Sequence, residues 1–168
     1  MKTTTKQRLM QTTILTVLLS VFTLTSKAQQ VNFSGSWRLD TGKSQFGNVA
    51  SRAAIQHYKI AQSEKYISLE WITLDENNKE TVSTQKLPLD NTNASALLPS
   101  KRTRSATASF SKDGKELTLT KSYSKIEKAE EVDYTIVEKW QLAGEGKELV
   151  IELTSPAYVI KAVYDKVK

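Results

Sequence analysis

The chain has 168 residues, with 24 basic and 18 acidic side chains, one histidine and no cysteine. The lack of thiols and the single histidine exclude cysteine nucleophiles, disulfide staples and the usual zinc ligand sets. Four basic residues (Lys2, Lys6, Arg8, Lys27) and no acidic ones fall in the first 28, so the remainder carries 20 against 18, net +2, and no nucleic-acid partner is expected.

Residues 1–28 read as a cleaved secretory signal. Lys2, Lys6 and Arg8 form a positive start, Ile14 to Leu24 is an apolar run of 11 residues, and Ser26-Lys27-Ala28 offers small residues for cleavage before Gln29. The run is shorter than the ~20 residues a spanning helix needs. No cysteine follows to accept a lipid. Residues 29–168 are therefore expected to form a soluble periplasmic or secreted product, one domain in size, with no membrane span.

Beyond residue 28 the hydrophobic period is that of strands. Phe33, Gly35, Trp37 and Leu39 share a face, opposite Ser34, Ser36, Arg38 and Asp40. Thr41 to Gly47 reads as a glycine-bounded loop, either a plain connection or a flap over one barrel end with Phe46 tucked inward. Ala53 to Ala61 is a candidate strand carrying His57, which lacks the acid or nucleophile a catalytic histidine needs. Ile67, Leu69 and Trp71 alternate with Ser68 and Glu70, and Asp75 to Lys79 is a polar turn. Glu80 to Leu87 returns as a strand that Pro88 ends. Ala94 to Pro99 carries no clear signal, and Lys101-Arg102-Thr103-Arg104 reads as a solvated edge or loop.

Thr103 to Phe110 leads through the Asp113-Gly114 turn to a strand with Leu117, Leu119 and Tyr123 on one face. Glu127, Glu130 and Glu131 read as a solvated connection. Val132, Tyr134, Ile136, Trp140 and Leu142 share the next face, interrupted by Glu138. Leu149, Ile151 and Leu153 follow, and Tyr158, Ile160, Ala162 and Tyr164 complete the pattern. The sum is all-β: a single antiparallel up-and-down barrel of about eight strands, since a meander of eight or nine short strands hides its edges by closing. An outer-membrane barrel alternates in the same way. Its lipid-facing band needs longer strands, and the charges of Lys121, Lys125 and Glu138 would break it.

The Gly35-Ser36-Trp37 triplet, on the first strand after a signal, resembles the G-x-W motif of lipocalins. The wider pattern resembles small secreted bacterial lipocalin-like proteins, with G-x-W-x-L at Gly35–Leu39 and K-S-x-F-G at Lys43–Gly47. W-x-L at Trp140–Leu142, a D/E-G-K-x-L hairpin at Glu145–Leu149 and V-Y-D-K at Val163–Lys166 complete it. The resemblance implies a calycin-type barrel whose tryptophan packs across the closed end, and a small apolar ligand. Lipocalins also set a late arginine against that tryptophan, and here no arginine follows Arg104.

No nucleophile elbow, phosphate loop or metal set is present, so no enzyme activity, cofactor or metal is expected. Trp37, Trp71, Tyr123, Tyr134, Trp140 and Tyr158 are the candidate cavity-facing residues. They either line a ligand cavity or simply fill the barrel. The expected function is a secreted or periplasmic lipocalin-like protein that binds a small apolar molecule. The alternative is an envelope module with a solid core and a partner docked on its surface.

Overall fold

A computed structural model describes residues 29–98, 102–125 and 131–167. The expected signal at 1–28, Lys101 of the basic cluster, and Glu127 and Glu130 lie outside the described residues. Ten strands follow in order: β1 Gly35–Gln45, β2 His57–Gln62, β3 Tyr66–Leu74, β4 Glu80–Pro88, β5 Ala94–Leu98, β6 Arg102–Phe110, β7 Leu117–Lys125, β8 Val132–Ala143, β9 Glu148–Thr154 and β10 Val159–Val167. They form one antiparallel sheet in the order β4-β3-β2-β1-β10-β9-β8-β7-β6-β5. The chain is thus an up-and-down, nearly closed barrel.

Ten strands stand where about eight are expected. The strand with no clear sequence signal is β5. Its Ala-Ser-Ala-Leu-Leu is short and poor in β-branched residues, and it is ordered by pairing with β6. Two other boundaries move. β1 runs on through Gln45, so most of the expected loop is strand. The segment before β2 is a 3-10 turn, Ser51–Ala53, and β2 begins only at His57.

The continuation of β1 depends on a bulge. Register with β10 slips between Asp40 and Gln45. There the Ser44 hydroxyl accepts from the Val163 backbone N–H (2.9 Å) and donates to the Asp40 carbonyl (2.6 Å). A side chain thereby satisfies a buried backbone group that the slipped ladder leaves over. Beside it, Lys43 reaches Asp165 (2.7 Å), Glu148 (2.8 Å) and Asp40 (3.5 Å), joining β1, β10 and β9 on the outer face.

The seam between β4 and the β5–β6 edge is closed at one end only. Asp90 bridges to Ser109, and the Asn91 N–H donates to the Ala108 carbonyl. Alternation directs Tyr58, Ile60, Ile67, Leu69, Leu87, Leu117, Leu119, Trp140, Leu149 and Tyr164 inward, all buried.

One end of the interior is packed solid. Residues before β1 cross the hairpin at Ser111–Glu116, with the Val31 N–H on the Gly114 carbonyl. They deliver Phe33 against Phe110 (6.2 Å, stacked) and Trp140 (6.1 Å, edge-on). Gln62 clamps this segment through the Phe33 N–H and the Val31 carbonyl. Trp37 is fully buried, and its indole N–H donates to the Phe33 carbonyl (2.9 Å). Lys166 covers its ring at 5.2 Å, the position that the lipocalin resemblance gives to an arginine. A side chain at Gly35, whose φ is +146°, would press on Lys166 at 3.0 Å, so the glycine makes room for that cover.

Candidate functional site

The other half of the barrel holds a cavity of about 230 Å³. Each strand changes character on entering it. β7 passes from Leu117 and Leu119 to Lys121 and Tyr123, β3 from Ile67 and Leu69 to Trp71 and Thr73, and β6 from Ala108 and Ala106 to Arg104. Apolar walls come from Ile136, Leu153 and Ile160, and the segment around the 3-10 turn contributes Val49, Ala53, Ala54 and Ile55. The expected flap is not seen here: Thr41 to Gln45 is strand, and of the residues that follow it Val49, not Phe46, lines the cavity.

The floor is aromatic. Tyr58 lies between Trp140 (5.2 Å) and Tyr164 (5.3 Å), edge-on to both. Burial, and then the negative charge of Glu138, push both phenols well above the ordinary tyrosine range, so both stay protonated donors at neutral pH. Burial also raises Tyr123, and the neighbouring Arg104 guanidinium opposes that rise.

One wall carries a buried ion pair. The Lys121 ammonium donates to Glu138 Oε1 at 2.5 Å, and the Trp140 indole N–H donates to Oε2 at 3.0 Å. Both oxygens of Glu138 are thereby engaged. Lys121 and Glu138 sit diagonally across the β7–β8 ladder, where Lys121 faces Ile136 and Leu119 faces Glu138. Desolvating such a pair roughly cancels its attraction, so the pair is not what holds the barrel together.

Arg104 departs from its expected place on a solvated edge. β6 turns it inward, where it lies over the Trp71 ring at 5.7 Å and reaches across the open part of the seam from β6 to β3. Its Nε is buried without a hydrogen-bond partner. Arg102, two residues earlier, is paired with Asp133. Gln85 Oε1 on the seam strand β4 is also buried and unpartnered.

Of the six aromatic candidates, Trp71, Tyr123 and Tyr158 line the cavity. Tyr134 stacks on Tyr123 at 4.7 Å. Trp37 and Trp140 belong to the packed core. Sequence reasoning passed over Tyr58, Tyr164, Arg104, Lys121 and Glu138. The available signal was two opposite charges on the apolar faces of consecutive strands. His57 pairs with Arg38 and Ile72 on the face opposite buried Tyr58, away from the cavity. Among the described residues no group of histidine and carboxylates is placed to hold a metal.

By sequence, no protein-family model and no curated protein matches the chain. By structure, the REP1-NXSQ fatty acid transporter superposes with a TM-score of 0.53 at 12% identity, over 81% of this chain and 96% of that one. Human cRBP IV gives 0.55 at 11%, over 82% and 99%. Echinococcus granulosus fatty-acid-binding protein 1 gives 0.52 at 13%, over 81% and 98%. The chain has the calycin fold. At these identities the likeness is one of architecture, and the lining residues speak for themselves.

Proposed function

We propose that the protein is an extracytoplasmic, non-enzymatic binding protein that holds a small, largely apolar molecule in the open half of its barrel. The observation that carries this reading is the cavity: about 230 Å³ with apolar walls and a few convergent polar groups, inside a barrel whose other half is packed solid. The fold supports it, since two of the similar structures are by name a fatty acid transporter and a fatty-acid-binding protein. The signal-like residues 1–28 support export. Exposed Lys59, Glu70, Lys86, Lys139, Glu152 and Lys161 on the outward faces of the strands support a product soluble without detergent, because charges on a lipid-facing band are costly.

The test is native mass spectrometry of the purified protein, with extraction of any retained molecule and fluorescence titration with lipophilic probes. Trp71 is the tryptophan in the cavity wall, so bound probe should quench emission in the native protein and much less in Trp71→Phe. A ligand-free protein whose emission no probe changes would overturn the reading. Fractionation of the producing cell tests the address, and recovery in the cytoplasm or in detergent-extracted membrane would overturn that part.

A further inference from the structure

Hydrogen-bonding capacity in the cavity is unbalanced. Its ionised side chains are Arg104, Lys121 and Glu138, two cations to one carboxylate. Both oxygens of that carboxylate are engaged, by Lys121 and by the Trp140 indole. Lys121 spends one of its three N–H groups on Glu138 and keeps two. Among the described residues no carboxylate pairs with Arg104, although Arg102 beside it has Asp133. The Arg104 Nε–H is buried with nothing to donate to, an unfavourable state for a charged group. The phenols of Tyr58, Tyr123 and Tyr164 add donors to the same lining. The interior thus offers several free donors, one uncompensated positive charge and no free carboxylate.

Its complement is a single negative charge rich in acceptors. A guanidinium presents parallel N–H groups that match a carboxylate in a planar, two-bond arrangement. Here the group is already oriented by the Trp71 ring, so little is lost in ordering it. Apart from the hydroxyls of Thr73 and Tyr158, the rest of the lining is apolar, with Val49, Ile55, Ile136 and Leu153 among it. The volume falls below the ~300–1,000 Å³ typical of drug-sized ligands, so the body must be compact.

We infer that the cavity takes a compact monocarboxylic acid, aromatic or short-chain, with its carboxylate on Arg104 and Lys121 and its body under the Val49–Ile55 segment. This rests on the proposed barrel-binding function and adds charge and size to it.

The experiment is titration of the purified protein with octanoate and phenylacetate, their neutral amides and alcohols, octylamine and palmitate, read by Trp71 fluorescence and calorimetry. The acids should bind at least tenfold more tightly than their neutral counterparts, and octylamine and palmitate should bind more weakly than octanoate. Arg104→Met should remove the preference for acids, so that acids and their neutral counterparts bind alike. Arg104→Lys, which keeps the charge and loses the planar fork, should fall between the two and serves if Arg104→Met does not fold. Equal binding of acids and neutral counterparts would overturn the inference and leave the barrel-binding reading standing. Palmitate binding as tightly as octanoate would overturn the size assignment. If no compound binds at millimolar concentration, the barrel-binding reading itself falls.

Discussion

β7 sends Leu117 and Leu119 into one half of the barrel and Lys121 and Tyr123 into the other, while β8 sends Trp140 into the first half and Ile136 and Glu138 into the second. The halves share strands, register and pleat, yet one is solid and the other hollow. The solid half is filled by ring-on-ring contacts of Phe33, Phe110 and Trp140, and the pre-strand segment closes its end. The hollow half carries charge, and its seam is crossed by Arg104 instead of a ladder. Dense packing and open volume are thus separated along the barrel axis. Removing side chains from the first half opens voids in dense packing. The second half already tolerates an empty volume.

The widest predicted gap between the halves comes from truncation. Trp37→Ala should cost about 3–5 kcal/mol. Leu153→Ala, on the cavity wall, should cost about 1 kcal/mol or less. Urea denaturation of both variants checks the pair, and equal losses would break the division. Glu138→Gln should cost about 3–5 kcal/mol, because it strands Lys121 as a buried charge. Replacing both partners, as Lys121→Met with Glu138→Leu, should recover most of that loss. Thermal melts of the single and double variants sharpen the comparison, since full recovery means that the fold does not need the pair.

Next in size are the two small residues of the first strand. Gly35→Ala forces a side chain onto a positive-φ backbone against Lys166 and should cost about 1–3 kcal/mol. Ser44→Ala orphans the Val163 N–H and should cost about 1–3 kcal/mol. Denaturation midpoints at constant m-value report both.

The smallest effect is alkaline. The raised folded-state values of Tyr58 and Tyr164 leave their contribution whole below about pH 10, where the unfolded phenols titrate. As pH climbs beyond that, the unfolded state sheds protons that the folded state keeps. Stability should fall by up to about 1.4 kcal/mol per pH unit for each tyrosine. Tyr58→Phe and Tyr164→Phe should each flatten that slope in denaturation series between pH 9 and 11.

The strands were legible because alternation reports the pleat directly, and β3, β7 and β8 show it in nearly every residue. β5 was not, because Ala94 to Leu98 has no large alternating residues and takes its order from β6. The lipocalin-like motifs were legible as spelling, while their causes lie in tertiary contacts: Gly35 clears space for Lys166, and Ser44 repairs a bulge. Among the aromatics, alternation tells inward from outward but not height along the barrel. It therefore could not separate Trp37 and Trp140 in the packing from Trp71 and Tyr123 on the cavity. Arg104 was hidden by its neighbours, since Lys-Arg-Thr-Arg suggests solvent while the strand turns only some of its members outward.

The central position of the β1–β10 pair in the sheet has a consequence for the order of events during synthesis. Ser36 lies opposite Val167, so the pairing that joins β1–β4 to β5–β9 uses β10, made after the other nine described strands. Each group can form locally as a meander of neighbouring hairpins. Their union waits for residues 159–167, and contacts of such long sequence separation slow folding. Until then the chain carries two unfinished sheets with bare edges, the state most open to wrong pairing with another chain.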